Sequence, residues 1–274
     1  MNQAILFTRI IEMTRPCVDD GDAFTQRDRL DHIFASLKNS EYECCADLDL
    51  AKVFRRRGFD PGLPFVLVSS HVDSLYENYF AKIKKDKIYG TFDNSATNAI
   101  LVDAMIEEAL SEQVLITFAG DEEEDSRGAD QTLEYLNRSN LLRKLEMVIV
   151  LDLTEEFFDK HYVTVENLFI KSENTGSRLT FDRKKHLSKF LKTILPACGV
   201  IKNGDPDESW QYDEHNVNCF SLCLPCRLLG DDMHDDRGVA MKLEACRNYR
   251  KALETVIREI ARHLALNSEN APAK

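Results

Sequence analysis

Three short runs, FVLVSS (65–70), VLITFA (114–119) and MVIVL (147–151), are apolar along almost their whole length. A strand with one wet face alternates apolar and polar residues, whereas a strand without alternation is buried on both faces. Between and around these runs lie segments with helical spacing. Residues 2–13 and 24–38 read as helices, the second carrying Leu30, Ile33, Phe34 and Leu37. A helix over 94–110, capped by Asn94 or Ser95, turns Ala99, Val102, Ile106, Ala109 and Leu110 to one side. Further helices are expected over 129–144, 183–195 and 239–264, the last with Val239, Leu243, Cys246, Leu253, Ile257, Ile260 and Leu264 on one face. Residues 79–90 read as a hairpin or edge pair, and 162–171 and 217–224 as further strands. This alternation predicts an α/β fold with a mixed, mostly parallel central sheet and helices on both faces. The 274 residues suit a single domain over 1–274, with 1–60 as an N-terminal helical cover and 267–274 as a frayed tail.

Charge and composition narrow the partners. Lys and Arg number 35 against 47 Asp and Glu, a net charge of −12. An acidic chain repels phosphate, so neither nucleic acid nor a membrane surface is an expected partner. The longest apolar run has five residues (147–151), far short of the about 20 that a membrane helix needs. The start, MNQAILFTRIIEMTRP, lacks a secretory pattern, so a cytoplasmic protein with reduced thiols is expected. Cys223-Leu-Pro-Cys226 has the spacing of a metal or redox pair, but no second pair accompanies it, and it reads as strand and strand-end packing.

Ligands of open α/β sheets bind beyond the C-terminal ends of the strands. His71-Val72-Asp73 follows the first apolar run, and Asp93 precedes the helix at 94. The acid run 121–125 follows the second run, Asp152 follows the third, and His234 lies in the loop before the final helix. One such histidine is ordinarily just polar, and one acid run is ordinarily a solvated loop. Together they form a set of imidazoles and carboxylates suited to zinc, with manganese or cobalt as further options. Two residues apart on a strand, His71 and Asp73 face the same way, so Asp73 can hold the His71 tautomer.

In this order the residues resemble the co-catalytic dizinc exopeptidase superfamily, the zinc aminopeptidases and related carboxypeptidases. The likeness runs from about residue 65 to 260, and the short spans between its motifs match the compact single-domain branch. It implies a phosphorylase/hydrolase-like zinc exopeptidase fold and two zinc ions. By resemblance His71, Asp93 and Asp152 are ligands of one ion, and Asp93, Glu123 and His234 of the other, with Asp93 in GTFDNSATNA as the bridge. Glu122-Glu123, four residues, then Gly128-Ala129 sets the register of the acid run. This makes Glu122 the general base, acting on a metal-bridged water, and Asp73 the catalytic partner that orients His71. Asp125 stands where the family usually has glycine.

The implied activity is removal of N-terminal residues from small peptides by a monomer or small homo-oligomer. A carboxypeptidase or an N-acyl amide hydrolase would use the same rim; the former needs a cation, for which Arg178, Arg183, Arg227 and Arg237 are candidates. A single-metal acyl transferase of the glutaminyl-cyclase kind is disfavoured by the full ligand set. A lapsed binding protein on the same fold is the remaining alternative. Trp210 and Tyr212 are assigned to packing rather than to a pocket wall, and His161, His186, His215 and His263 to surface or core.

Overall fold

A computed structural model describes residues 3–14, 27–170, 184–201 and 203–269. In chain order its elements are α1 (Gln3–Met13), α2 (Arg27–Leu37), β1 (Tyr42–Asp47), β2 (Ala51–Arg56), β3 (Phe65–His71), β4 (Ala81–Lys84), β5 (Lys87–Gly90), α3 (Ser95–Ile106) and β6 (Val114–Ala119). There follow α4 (Arg127–Arg138), β7 (Leu145–Thr154), β8 (Val163–Phe169), α5 (Lys184–Ile194), β9 (Cys198–Val200), α6 (Glu208–Glu214), β10 (Cys219–Pro225), β11 (Arg227–Leu228), β12 (Val239–Lys242) and α7 (Leu243–Glu269).

The three apolar runs become β3, β6 and β7, and their lack of alternation has the expected cause. The main sheet has the order β1-β2-β6-β3-β7-β10-β8-β9, and its centre, β6-β3-β7-β10, is parallel. Alternate residues of these strands enter two separate apolar cores. Val66, Val68, Ile116, Ile149 and Leu222 join α1, α2, α3, α5 and α7 on one face. Phe65, Leu67, Leu115, Val148 and Val150 join α4 and Tyr212 of α6 on the other. A small second sheet, β11-β12-β5-β4, carries the hairpin expected at 79–90.

Four expectations are corrected. The N-terminal 60 residues are not a purely helical cover: β1 and β2 form an antiparallel hairpin that extends the main sheet from β6. Its strands carry Glu43, Asp47, Lys52 and Arg55, so no apolar run marks them. The final helix starts at Leu243, because Val239–Lys242 pairs with β5 as a strand. That same helix runs to Glu269, which takes 267–269 out of the frayed tail, while 270–274 lie outside the described residues. Last, α3 is buried from Ser95 to Met105 on all sides rather than along one stripe, since α1, α2 and α7 pack outside it against the sheet.

Candidate metal centre

The parallel strands bring the chemistry to one edge. Ser70 pairs with Leu151, and His71 with Ala119, so His71, Asp152 and the 120–123 turn meet at the C-terminal ends of three adjacent strands. Side chains two apart share a face. His71 therefore follows Ser69 and Leu67, and Asp152 follows Val150, onto the α4/α6 side.

Buried polar groups hold these backbones. Asn98 Nδ2 donates to the His71 carbonyl at 2.7 Å, and Asn94 Nδ2 donates to the Leu151 carbonyl at 2.6 Å. Arg29 of α2 donates to the Val72 carbonyl. The acid run is a tight turn rather than a solvated loop. The Asp125 and Ser126 N–H groups donate to the Asp121 carbonyl, and the buried Asp121 carboxylate accepts two 2.6 Å bonds from Arg127. Positive φ falls at Asp121 and Ser126, not at Asp125, so this backbone does not ask for glycine at 125. Glycine is required instead at Gly128, where a Cβ would lie 2.5 Å from the Gly120 carbonyl and 2.9 Å from that of Leu50. His234 arrives on the loop between β11 and β12. Tyr76 Oη donates to the Met233 carbonyl at 2.6 Å, and the Glu77 and Asn78 N–H groups donate to Asp236.

Six of the predicted residues converge, with Asp73 beside them. His71 Nε2 lies 3.2 Å from Asp93 Oδ1 and 3.6 Å from Asp152 Oδ1. His234 Nε2 lies 2.9 Å from Glu123 Oε2 and 3.6 Å from Asp93 Oδ2. Asp93 thus turns one oxygen to each imidazole, and belongs to both of two ligand-like triads, His71–Asp93–Asp152 and Asp93–Glu123–His234. Glu122 approaches His71 Nδ1 at 3.8 Å, and a third triad joins His71 with Glu122 and Glu123. Asp73 Oδ1 lies 3.5 Å from His71 Nδ1, while its Oδ2 accepts the Glu123 N–H at 3.0 Å.

The electrostatics are those of a site built around positive charge. Burial pushes Glu122 well above the usual carboxylate range, and Asp152 and Glu123 add to this against the pull of His71. Burial likewise raises Glu123, and lifts Asp152 to about 7. Asp93 goes the other way: burial is outweighed by the pull of the His234 and His71 imidazoles beside it. Asp93 and Glu123 lift His234 to about 10, and the surrounding carboxylates, Glu122 foremost, hold His71 well above its usual value against burial. Among the described residues, both His71 ring nitrogens, Asp73 Oδ1, Asp93 Oδ1 and Glu123 Oε1 are buried without a hydrogen-bond partner. Buried polar atoms are almost always satisfied. Nitrogen and oxygen donors orphaned together, with carboxylates outnumbering imidazoles, fit divalent cations.

The centre forms part of the wall of a cavity of about 840 Å³ that runs toward β8 and α6. Trp210 is 45% exposed and lines it, contrary to its assignment to packing; Tyr212 is buried and donates to Ser69 Oγ at 2.9 Å. Cys223 also lines it, from within β10; Cys223 and Cys226 are buried free thiols, while Cys17 lies outside the described residues. Of the four candidate arginines, Arg227 pairs with Asp159, Arg237 pairs with Asp231 and Asp235, and neither lines the cavity. Arg178 and Arg183 lie outside the described residues. Reading the sequence for strand-end ligands misses the supporting groups Arg29, Asn98, Tyr76 and Asp121. Asn98 carried the one available signal, a polar residue inside the apolar helix SATNAILV.

No known family model matches the sequence, and no curated protein matches it. Solved structures match its fold. Aminopeptidase PepT from Bacillus cereus ATCC 10987 superposes with a TM-score of 0.68 at 11% identity, over 95% of this chain and 99% of that one. The TET1 peptidase of Pyrococcus horikoshii, which can assemble into a tetrahedron or a large octahedral shell, gives 0.63 at 12% identity, over 90% and 99%. A Thermotoga maritima protein named endoglucanase gives 0.64 at 12%, over 94% and 99%. The chain shares the α/β fold of these proteins. At such identities the fold is shared, and activity has to be argued from the site.

Proposed function

We propose that the chain is a dizinc exopeptidase that removes residues from the free N-termini of peptides. One observation carries this reading: the Asp93 carboxylate presents one oxygen to each of two His–carboxylate groups, as a residue shared by two ions must. His71, Asp93 and Asp152 are assigned one ion, and Asp93, Glu123 and His234 the other. Zinc suits these donors, as do manganese and cobalt. Ions held there would supply Lewis-acid polarisation of a scissile carbonyl and a more acidic water.

The chain's own groups do the rest. Asp73 is a positioning residue: one oxygen faces His71, and the other holds the backbone of Glu123. Glu122, with its proton affinity raised by burial, takes a proton from the attacking water and returns it to the leaving amine. The acidic rim attracts a protonated N-terminus. A carboxypeptidase would need a cation for the substrate carboxylate, and no lysine or arginine lines the cavity among the described residues. Retention of both Glu122 and Asp93 argues against a lapsed site.

The test is incubation with a defined peptide mixture, with zinc or with a chelator, followed by mass spectrometry. Stepwise loss from free N-termini, only with metal, is expected. Loss from C-termini would replace the reading with a carboxypeptidase, and cleavage confined to N-acyl groups with an amide hydrolase. Asp93→Ala is expected to fall from two bound metals to almost none, counted by elemental analysis; two metals per chain in that variant would remove the bridging role.

A further inference from the structure

Beyond the metal centre the cavity passes along the α4/α6 face of β7, β10 and β8. Asp152 pairs with Cys223, and Cys223 with Thr164; two residues back, Val150 pairs with Ser221, and Ser221 with Glu166. Glu166 therefore lies two strands away from the metal ligands, roughly 10 Å across the sheet. It is 6% exposed, it lines the cavity, and its Oε1 has no hydrogen-bond partner among the described residues.

The chain builds this position deliberately. Asn167 takes φ +48 inside β8, and the β8–β10 register shifts beside it, the kind of irregularity that re-aims a side chain. Its own side chain then clamps the next loop: Asn167 Oδ1 accepts the Gly204 N–H, and Nδ2 donates to the Asp205 carbonyl, both at 2.8 Å. Gly204 packs against the Glu166 carboxylate, where a Cβ would collide with it. Asp205 and Asp207 of the clamped loop join Glu166 as cavity lining, and Asp207 also caps α6. Burial pushes the Glu166 acid up to about 7, with Asp207, Asp152 and Asp205 adding to it against a hydrogen bond with Thr154. A buried carboxylate among like charges, with one oxygen unsatisfied, is costly unless a cation reaches it. Among the described residues no lysine or arginine lines the cavity, and its two histidines, His71 and His234, sit at the metal centre.

We infer that this cavity binds the side chain of an N-terminal lysine or arginine, with Glu166 as its counter-ion and Asp205 and Asp207 sustaining the negative field. The inference rests on the aminopeptidase reading above. Lysine and arginine are the side chains that carry a cation on a long aliphatic stem, and the exposed ring of Trp210 beside the cavity is a surface for that stem or its charge. An uncharged stem of equal length leaves Glu166 unpaired, and sites with an unpaired buried polar group discriminate strongly.

The test uses the zinc-loaded full chain and aminoacyl coumarin amides of lysine, arginine and norleucine. Lysine and arginine are expected to exceed norleucine at least tenfold in kcat/KM, and Glu166→Gln to lower the lysine-to-norleucine ratio at least tenfold. Calorimetry with lysinol and norleucinol, which carry no amide to cleave, is expected to give at least fivefold tighter binding of lysinol, lost in Glu166→Gln. Norleucine cleaved as well as lysine, or a ratio that Glu166→Gln leaves unchanged, overturns the inference. If no N-terminal residue is released from any substrate, the aminopeptidase reading fails by itself, and the two alcohols still decide whether the cavity selects a cation. Should Glu166→Gln not fold, the wild-type series alone decides.

Discussion

Glu122 and Glu123 are neighbours in sequence that face different groups, and the roles proposed for them differ accordingly. Glu123 meets His234 at 2.9 Å and has its backbone held by Asp73; Glu122 lies 3.8 Å from His71 Nδ1. Glu122→Gln is therefore expected to keep both metals and lose about 10²–10⁴ in kcat, the usual size of a general-base contribution. Metal analysis beside kinetics checks this, and full activity would remove Glu122 from the chemistry. Asp73→Asn should weaken metal binding about 10–100-fold, as loss of a His-orienting carboxylate does, read by competition with a chelator.

Glu208 makes a separate prediction. It is fully buried beneath the centre, accepts from Ser69 Oγ at 2.8 Å, and burial lifts its acid to about 8. A carboxyl that binds its proton more tightly folded than unfolded stabilises the fold at low pH. Its contribution is lost as pH rises from about 4.5 through about 8, with a slope near 1.4 kcal/mol per pH unit. Glu208→Gln should flatten that part of the denaturation-versus-pH curve; an unchanged slope would mean that Glu208 folds ionised.

At the scale of elements, the turn from β6 into α4 decides where both glutamates point. Gly128 lets the start of α4 lie against Gly120 and Leu50, and Arg127 locks Asp121 on the other side. Gly128→Ala must push backbone from backbone, and overpacking of this kind costs about 1–3 kcal/mol. Because the displaced segment carries Glu122 and Glu123, metal affinity should fall together with thermal stability. A variant as stable and as metal-avid as the parent would show that the turn is not set by this contact. The spacing from Glu122-Glu123 to Gly128-Ala129 is thus a packing requirement as well as a family likeness.

At the scale of the molecule, the centre joins segments that are far apart in sequence: the end of β3, the start of α3, the 120–123 turn, β7 and the β11–β12 loop. A ligand present at about a thousand times its Kd adds roughly 4 kcal/mol to folding stability. For a chain of this size that corresponds to roughly 7 °C in Tm. Chelation should lower Tm by about this amount, and zinc should restore it, in a thermal melt. The largest gains in hydrogen-exchange protection on adding zinc are expected in the loops holding Glu122 and His234. No helix among the described residues is long and apolar enough to cross a membrane. Light scattering is expected to give a monomer or small oligomer rather than a shell.

Much of this was legible in the amino-acid sequence because the signals are local. Strands buried on both faces read as apolar runs, and β6 has the bounds its run predicted. Ligand types at strand ends, in one order, named the centre. What escaped has physical reasons too. The β1–β2 hairpin lies at the sheet edge among ion pairs, so its residues look like a surface loop; Lys52 is buried there against Asp47. Val239–Lys242 continues a helical apolar pattern, and only pairing with β11 and β5 makes it a strand. Sequence alone determined the fold class and singled out the residues proposed to hold metal, since both depend on residue type and short-range spacing. Tertiary structure alone decided that Asp93 faces two imidazoles, that Trp210 opens onto a cavity, and that Glu166 is buried there with one oxygen unpaired among the described residues. Those are distances between remote segments, set by strand order and register, and no local pattern encodes them.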